Sequence, residues 1–445
     1  MAEVIGEEAP NNRGLLGRVA LGATATLLLN VGSLVLNFAS TLLLSRLLGA
    51  EGYGAYAFAL AWALILTSVA GLGLSPLVIR QVAASSAKRE WGAIRGMLRW
   101  SNALVVVASL VATVAAAAIG LALLRDDSKL FGPFLVGLLL VVPLSLTTLR
   151  QSAMQGVGRV ILGRVPESLV APGLLLVLVA TVGLGRGDAF SAKWAMAMQV
   201  LATVCAFILG ALLLARSLPA DARVAAPEVH APSWRRSALP LFALGLLFAA
   251  NAQLGTIVLG VLGDTADVGV YSVATRLTAF IGFVMLAATY PLMPVVARLH
   301  AEGSDSEMRR LVAGAARTIF LLSLPLALGV VVFAEPLLAL FGAEFGAGIG
   351  GVRLLAVGEL MKAFVGLAGL VLVMTGHEAV LMRSVAAGVL ANGVLALGLV
   401  PVLGVEGAAL AAVVGIAVTQ LLLEFGARKR VGVSGAAFTP LHRRE

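Results

Sequence analysis

The side chains in this sequence best equipped to hold a charged ligand stand inside or at the ends of its most apolar stretches. Arg276 comes about seven residues into one such stretch, just after Gly269-Val270-Tyr271. An arginine at mid-bilayer costs on the order of 2.5–3.5 kcal/mol on insertion scales, so a buried guanidinium reads as functional. Its planar fork donates two hydrogen bonds and stays charged, which suits a phosphate; snorkelling to the nearer surface is the bland alternative. Lys362 is deeper, but Glu359 precedes it by three residues, and an i,i+3 ion pair explains both as readily as a binding site does. Arg46 and Arg80 end two apolar stretches, where interface anchoring is the default reading and anion contact the other. Arg150 and Gln151 share that ambiguity, while Asn251 and Gln253 point about 200° apart, so at most one faces a central path.

A polar stripe runs along the first apolar stretch. Thr26, Asn30, Ser33, Asn37, Thr41 and Ser45 recur every three or four residues, which confines them to an arc of about 120° on a helix. Interhelical hydrogen bonding, worth roughly 0.6–2 kcal/mol per contact, would use such a face. Six positions on one face favour the lining of a wet cavity, with Asn30 and Asn37 as its strongest hydrogen-bonding members.

What is missing narrows the chemistry. Of 23 acidic residues only Glu359 and Glu424 are expected well inside spans, so no chain of membrane carboxylates suggests a cation-coupling site. His230, His300, His377 and His442 fall in or beside loops, and neither a metal cluster nor a cofactor is expected. No phosphate-binding Gly-x-x-x-x-Gly-Lys-Ser/Thr loop occurs, which argues against a built-in ATPase. The one cysteine, Cys205, sits in an apolar stretch and reads as an inert buried thiol.

The elements that must position these residues are membrane helices. The chain is 60% hydrophobic and 12% charged, with a mean hydropathy of +1.01. About 20 apolar residues span a bilayer as a helix, and continuous rather than alternating runs exclude a barrel. Twelve such runs lie near 20–45, 54–78, 101–123, 131–149, 167–185, 194–215, 238–262, 270–296, 313–333, 352–374, 380–402 and 405–426. The expected fold is therefore an all-α polytopic membrane protein of about twelve transmembrane helices. The 50 glycines suit close helix approach as well as they suit a GC-rich genome.

A repeat divides those helices in two. Leu48-Gly49-Ala50-Glu51-Gly52-Tyr53-Gly54-Ala55-Tyr56-Ala57-Phe58-Ala59 returns, one residue longer, as Leu262-Gly263-Asp264-Thr265-Ala266-Asp267-Val268-Gly269-Val270-Tyr271-Ser272-Val273-Ala274. The common skeleton is a Leu-Gly turn, a short polar loop, then Gly-x-Tyr entering the next helix. A polar, proline-bearing linker at 216–236 separates the halves. The division expected is a cytoplasmic tail at 1–18, a six-helix lobe at 19–215, the linker, a second six-helix lobe at 237–427 and a basic tail at 428–445. Two parallel six-helix lobes (6+6) around a central cavity, related by an axis along the membrane normal, form a transporter plan.

Orientation follows from the basic residues. With the N-terminus inside, 24 of the 32 lysines and arginines face the cytoplasm, 6 face out, and Arg276 and Lys362 fall within spans. That bias places both termini in the cytoplasm and the chain in the cytoplasmic membrane. Trp91, Trp100 and Trp234 near the inner boundary and Trp194 near the outer one suit aromatic belts. No cleavable signal peptide is evident, since residues 1–18 are polar and the first apolar run is long enough to span. The net charge of +9 is spread over cytoplasmic loops, where it meets anionic lipids and not nucleic acid.

Taken in order, these motifs resemble the Wzx-type polysaccharide-lipid flippases of the multidrug/oligosaccharidyl-lipid/polysaccharide exporter superfamily. The resemblance starts at Ser45-Arg46-Leu47-Leu48-Gly49-Ala50-Glu51-Gly52-Tyr53-Gly54. It continues through Gly71-Leu72-Gly73-Leu74-Ser75-Pro76-Leu77-Val78-Ile79-Arg80 and Gln155-Gly156-Val157-Gly158-Arg159. In the second half it covers Gly269-Val270-Tyr271-Ser272-Val273-Ala274-Thr275-Arg276-Leu277, Leu340-Phe341-Gly342 and Gly404-Val405-Glu406-Gly407-Ala408-Ala409. The resemblance implies a two-lobed bundle whose V-shaped cavity opens alternately to each side. It also implies a substrate, undecaprenyl-pyrophosphate-linked sugar units moved from the inner to the outer leaflet, and a site containing Arg46, Arg80 and Arg276. Asn30, Asn37 and the Lys362–Glu359 pair join that site from helix geometry alone. Glycosyltransferases and a polysaccharide polymerase are the implied partners, with no enzymatic activity in the chain itself. A multidrug cation antiporter of the same fold is the competing reading, although it would want acidic residues in the cavity. A membrane polymerase or ligase would need a larger outer loop than 334–351.

Overall fold

The computed structural model describes residues 12–125, 127–183, 185, 187–219, 225–228 and 231–438. The helices are α1 (Asn12–Ala70), α2 (Leu74–Lys88), α3 (Trp91–Leu123), α4 (Ser128–Leu138), α5 (Val141–Gly156), α6 (Val160–Val165), α7 (Ala171–Leu178) and α8 (Ala192–Ser217). The second half adds α9 (Ala231–Leu262), α10 (Thr265–Ala301), α11 (Asp305–Val332), α12 (Ala334–Ala339), α13 (Ile349–Val365), α14 (Leu367–Met374) and α15 (Glu378–Val431). Among the described residues there is no strand. Nine helical segments among the described residues are long and apolar enough to cross a membrane, with α4–α5 (Lys129–Gly156) and the stretch Val160–Gly183 through α6 and α7 each counted once. α13 with α14, bent by 43° about Gly366 and counted as one span, makes a tenth.

Two of the nine are double. α1 and α15 run 59 and 54 residues, about 80–90 Å at 1.5 Å per residue, far beyond the roughly 30 Å of hydrocarbon. Each is broken by a glycine whose backbone a side chain would strain: Gly49 at φ 66° and Gly404 at φ 51°. In α15 the two legs fold back on each other. Gly407 lies against the Leu399–Val400 backbone, Gly415 against Asn392 and Gly388 against Thr419, a register only an antiparallel hairpin gives. Both doubled helices therefore cross twice, which brings the described crossings to twelve, with breaks where the sequence separates its apolar runs.

Apolar side chains cover the outside as well as the core. Val111, Val114, Val394 and Val402 are exposed on α3 and α15, as expected of helices whose outer faces meet lipid rather than water. The core gathers around the second leg of α1, where Phe58 packs under Gly260 of α9 and against Phe134 of α4. Glycine at 260 is required there, because a Cβ would overlap the Phe58 ring.

The two halves of the chain meet at the Gly49 end of the bundle. Gly54 and Gly269, equivalent positions of the sequence repeat, face each other so closely that a Cβ on either would overlap backbone: Thr265 O for Gly54 and Ala50 O for Gly269. Such contact between small residues is how membrane helices gain dispersion energy without a hydrophobic driving force.

Among the described residues, parts of the segments expected as tails and linker are helical or hydrogen-bonded to the bundle. α1 begins at Asn12, inside the expected tail, and α9 begins at Ala231, inside the expected linker. The middle of the linker is fastened to α3: Arg95 donates to Ala225 O at 2.7 Å and Glu228 N to Gly92 O at 3.0 Å. Arg428, Lys429 and Arg430 close α15, and residues 432–438 then turn back into the second half. This C-terminal strap docks at the α13–α14 break. Ala437 N donates to Phe364 O at 2.9 Å, Arg317 of α11 donates to Ala437 O at 2.9 Å, and Gly435 N donates to Glu424 Oε2 at 2.8 Å. Phe438 closes it with edge contact to Phe320. His230, His442 and the basic pair Arg443 and Arg444 lie outside the described residues.

Candidate functional site: a cationic cavity between the halves

A cavity of about 910 Å³ opens between the halves at the end opposite Gly49. Its walls are the start of α1 (Thr24 to Asn30), the α5–α6 connection (Gln151 to Arg164) and one face of α10 (Phe283, Ala287, Pro291). Three lining amides, Gln151, Gln155 and Asn30, and the hydroxyls of Thr24 and Thr26 can donate and accept hydrogen bonds. Arg159 and Arg164 add two guanidiniums, and no carboxylate joins the lining among the described residues. Neither guanidinium has a hydrogen-bond or ion-pair partner among the described residues. The cavity is thus a positively charged, hydrogen-bonding chamber in an otherwise apolar bundle. It fits an anionic head that must be given back the solvation it loses on leaving water.

The local fold explains the placement. Gly158, at φ 76°, turns the chain between α5 and α6 and sets Arg159 at the foot of α6, with Arg164 five residues on, near its end. Above the chamber, edge-on aromatic contacts form a roof: Phe38 meets Phe280 at 5.4 Å and Phe341 at 5.5 Å. Beyond the roof the halves are latched. Arg46 Nε donates to Leu340 O at 2.7 Å, and Ala50 N donates to Glu344 Oε2 at 2.9 Å. Farther out lies the Gly54–Gly269 contact. The chamber is therefore open at one end and closed at the other.

The residues expected from sequence separate into four places. Asn30 lines the chamber, while Asn37 lies two turns farther along and donates to Ser33 O at 2.7 Å within its own helix. The stripe divides accordingly: Thr26 and Asn30 face the chamber, whereas Thr41 and Ser45 are buried in packing. Arg46 belongs to the closed latch. Arg276 shares an arc of about 80° on α10 with Phe280, Phe283, Ala287 and Pro291, one turn beyond the roof. It is exposed, has no hydrogen-bond partner among the described residues, and lies within electrostatic reach of Tyr56, whose hydroxyl donates to Gln199 at 2.9 Å. Arg80 is exposed on α2 and is not part of the chamber lining.

Lys362 and Glu359 form an ion pair, Nζ to Oε1 at 2.5 Å. Lys362 borders a separate pocket of about 300 Å³ inside the second half, together with Asn251, Thr419 and Gln420. Sequence reasoning passed over Arg159 and Arg164 as site residues, reading Arg159 within the Gln155–Arg159 motif and both as topology-setting charges. It also passed over Glu167, placed at the edge of a span. Two arginines five residues apart behind a Gly-x-Gly turn were the available signal. Glu167 in fact lies within the crossing that runs Val160–Gly183 and pairs with Arg150.

A polytopic helical bundle in two halves, holding a cationic chamber open at one end, has the architecture of a membrane transporter. The sequence matches the family model described as polysaccharide biosynthesis protein over residues 19–300, and the chain belongs to that family. A second model, MatE, matches residues 240–397. Among solved structures, the inward-facing form of a multidrug resistance MATE family transporter of the MOP superfamily is similar at TM-score 0.70 and 17% identity, over 90% of this chain and 94% of that one. The lipid II flippase MurJ, inward closed, is similar at TM-score 0.71 and 12% identity, over 90% and 87%. A MOP superfamily transporter from Pyrococcus furiosus, whose description notes a binding pocket of reverse polarity, is similar at 0.62 and 16% identity, over 92% and 94%. These structures, described as transporters or a flippase, share the fold. No curated protein matches the sequence.

Proposed function

We propose that the protein moves undecaprenyl-pyrophosphate-linked oligosaccharide units from the inner to the outer leaflet of the cytoplasmic membrane, by alternating access of two six-helix lobes. The observation that carries the reading is the chamber with two unpartnered arginines and no carboxylate. A pyrophosphate is satisfied by paired guanidiniums, whereas a drug cation would be repelled by them. The excess of basic residues assigns the chamber end to the cytoplasm and the Gly49 end to the outside. On that assignment both termini are cytoplasmic and the structure is the inward-open state.

In this cycle the head group enters from the inner leaflet and meets Arg159 and Arg164. Asn30 and Gln155 replace the water it sheds, and the lipid tail stays in hydrocarbon. Rocking of the lobes about the 216–236 linker then parts the Arg46–Leu340 and Ala50–Glu344 contacts and brings the head past the Phe38–Phe280 roof to Arg276. Arg80, Asn37 and the Lys362–Glu359 pair complete the proposed set of substrate-path residues. Anionic lipids bind the basic cytoplasmic loops, and the glycosyltransferases and polymerase that make and use the glycan are the partners.

The test is translocation in vesicles reconstituted with the purified protein, using a lectin or glycosidase that reaches only the outer leaflet. Protein-dependent exposure of the sugar supports the reading. The MatE match over residues 240–397 keeps one second reading, cation antiport. Proton- or sodium-driven movement of small cations without sugar exposure would replace the first with it.

A further inference from the structure

The flippase reading leaves the driving force open, and a buried ion pair behind the chamber wall supplies a place to couple one. Glu167 is the second residue of a short π-helical turn, Pro166–Val170, between α6 and α7. Such turns mark sites where a helix can change register. Both carboxylate oxygens are held by α5: Oε1 accepts from Arg150 Nη2, and Oε2 accepts from Gln151 Nε2 at 3.0 Å. Arg150 is 4% exposed, its guanidinium pressed on Gly210 of α8, and it donates a second bond to Gly163 O at 3.1 Å. Its Nε and Nη1 have no partner. Glu167 is therefore the only carboxylate compensating this buried charge among the described residues.

Every neighbouring element bears on the charge of Glu167. α5 brings Arg150. α6 brings Arg164, which faces the chamber. At this level α1 offers only the neutral Asn30, Ser33 and Asn37, α7 has no ionisable residue, and the charged residues of α8, Lys193 and Arg216, stand near its ends. Gln151 lines the chamber and touches Glu167, so chamber water reaches the carboxylate across a single side chain.

We infer that Glu167 is a proton-binding site that couples a pH gradient to lobe movement. A proton taken from water while the path is open to the outside ends on a carboxylate oxygen, converting the carboxylate to the neutral acid while Arg150 stays a guanidinium. On return to the inward-open state, with the ion pair restored, the proton leaves to chamber water beside Gln151, so a proton moves in as the head group moves out. The acid no longer compensates Arg150, and the tie between α5 and the Pro166 turn loosens. That turn leads into a helix packed along the first leg of α1: Leu169 against Gly32, Pro172 O accepting from Ser40 Oγ at 3.4 Å, and Gly183 against Leu47. Leu47 adjoins Arg46, the latch residue. A shift beside Glu167 is thereby carried along α1 to the closed end.

The inference rests on the flippase reading only for what is transported, so two readouts separate the two. The first needs no substrate: acidifying the purified full-length protein should raise a carboxylic-acid infrared band that is lost in Glu167→Gln. The second is glycan-lipid translocation under an imposed pH gradient. Wild-type protein should be accelerated by the gradient, whereas Glu167→Gln should equilibrate substrate without acceleration. The double variant Arg150→Met/Glu167→Leu removes both charges, guards against misfolding, and should also lose the acceleration. An infrared band that persists in Glu167→Gln, or acceleration that survives it, overturns the proton site. A wild type that shows the band but moves no glycan lipid overturns the flippase reading and leaves the proton site standing.

Discussion

The amide of Ala50 donates to the carboxylate of Glu344 at 2.9 Å, across 294 positions of sequence and across the boundary between the halves. Ala50 follows the Gly49 break, so its N–H is one that the new leg of α1 cannot satisfy internally, and Glu344 acts as its cap from the opposite half. Losing a side-chain cap costs about 0.5–2 kcal/mol. Glu344→Ala should therefore shift the protein toward opening at this end, with Glu344→Gln less affected. The check is Thr41→Cys, buried behind the latch, in a Cys205→Ala background. An impermeant thiol reagent added outside should label it faster with Glu344→Ala, and an unchanged rate would remove Glu344 from the latch.

Gly54→Val and Gly269→Val should each block closure of the same end. The added atoms meet backbone oxygen, which cannot turn away as a side chain could, and overpacking typically costs about 1–3 kcal/mol. Both variants should accumulate in the membrane, label strongly at Thr41→Cys and fail to translocate. Wild-type transport by either would mean the contact is not needed for the cycle.

Arg159→Ala and Arg164→Ala should weaken binding of a pyrophosphate lipid roughly 10- to 100-fold each, the equivalent of a charge-assisted hydrogen bond of about 1.5–3 kcal/mol. Lysine at either position should restore part of the loss, because it keeps the charge but not the fork. Equilibrium binding to the purified protein, with inorganic pyrophosphate as competitor, reads this directly.

Arg276→Ala should separate binding from movement. The residue lies beyond the Phe38–Phe280 roof, so the open chamber should still bind glycan lipid while translocation stops. Arg276→Lys should recover only part of the transport. Normal glycan export by an Arg276→Ala strain would exclude the residue from the path.

Ending the chain at Val431 should destabilise the second half. It removes the bonds from Ala437 to Phe364, from Arg317 to Ala437 and from Gly435 to Glu424, each worth about 0.5–1.5 kcal/mol. Thermal unfolding in detergent should fall measurably below wild type, and an unchanged midpoint would show the strap to be passive.

The helical plan was legible in the sequence because a membrane span is a local property. The apolar runs on either side of Gly49 and Gly404 mark the two doubled helices correctly, and the repeat points to the two glycines that touch. Depth and partnership were less legible. The stripe from Thr26 to Ser45 fixes one helix face, but only the positions of Phe280 and Phe341 decide that Asn30 meets water and Ser45 does not. Glu167 pairs with a residue 17 positions away on another helix, and a hydropathy window registers such a residue as the edge of a span. Arg159 and Arg164 were hidden by company, since arginines recur in most of the polar segments between the apolar runs.

The C-terminal strap also bears on the order in which the protein is made. Phe364 O obtains its partner, Ala437 N, 73 residues later in synthesis. At about 5–20 residues per second that is a wait of roughly 4–15 s. The α13–α14 break must stay unfinished through that interval while α15 is threaded into the membrane. Residues 432–438 complete the second half only after α15 has been made, so a chain that stops before them lacks the piece that closes its own fold.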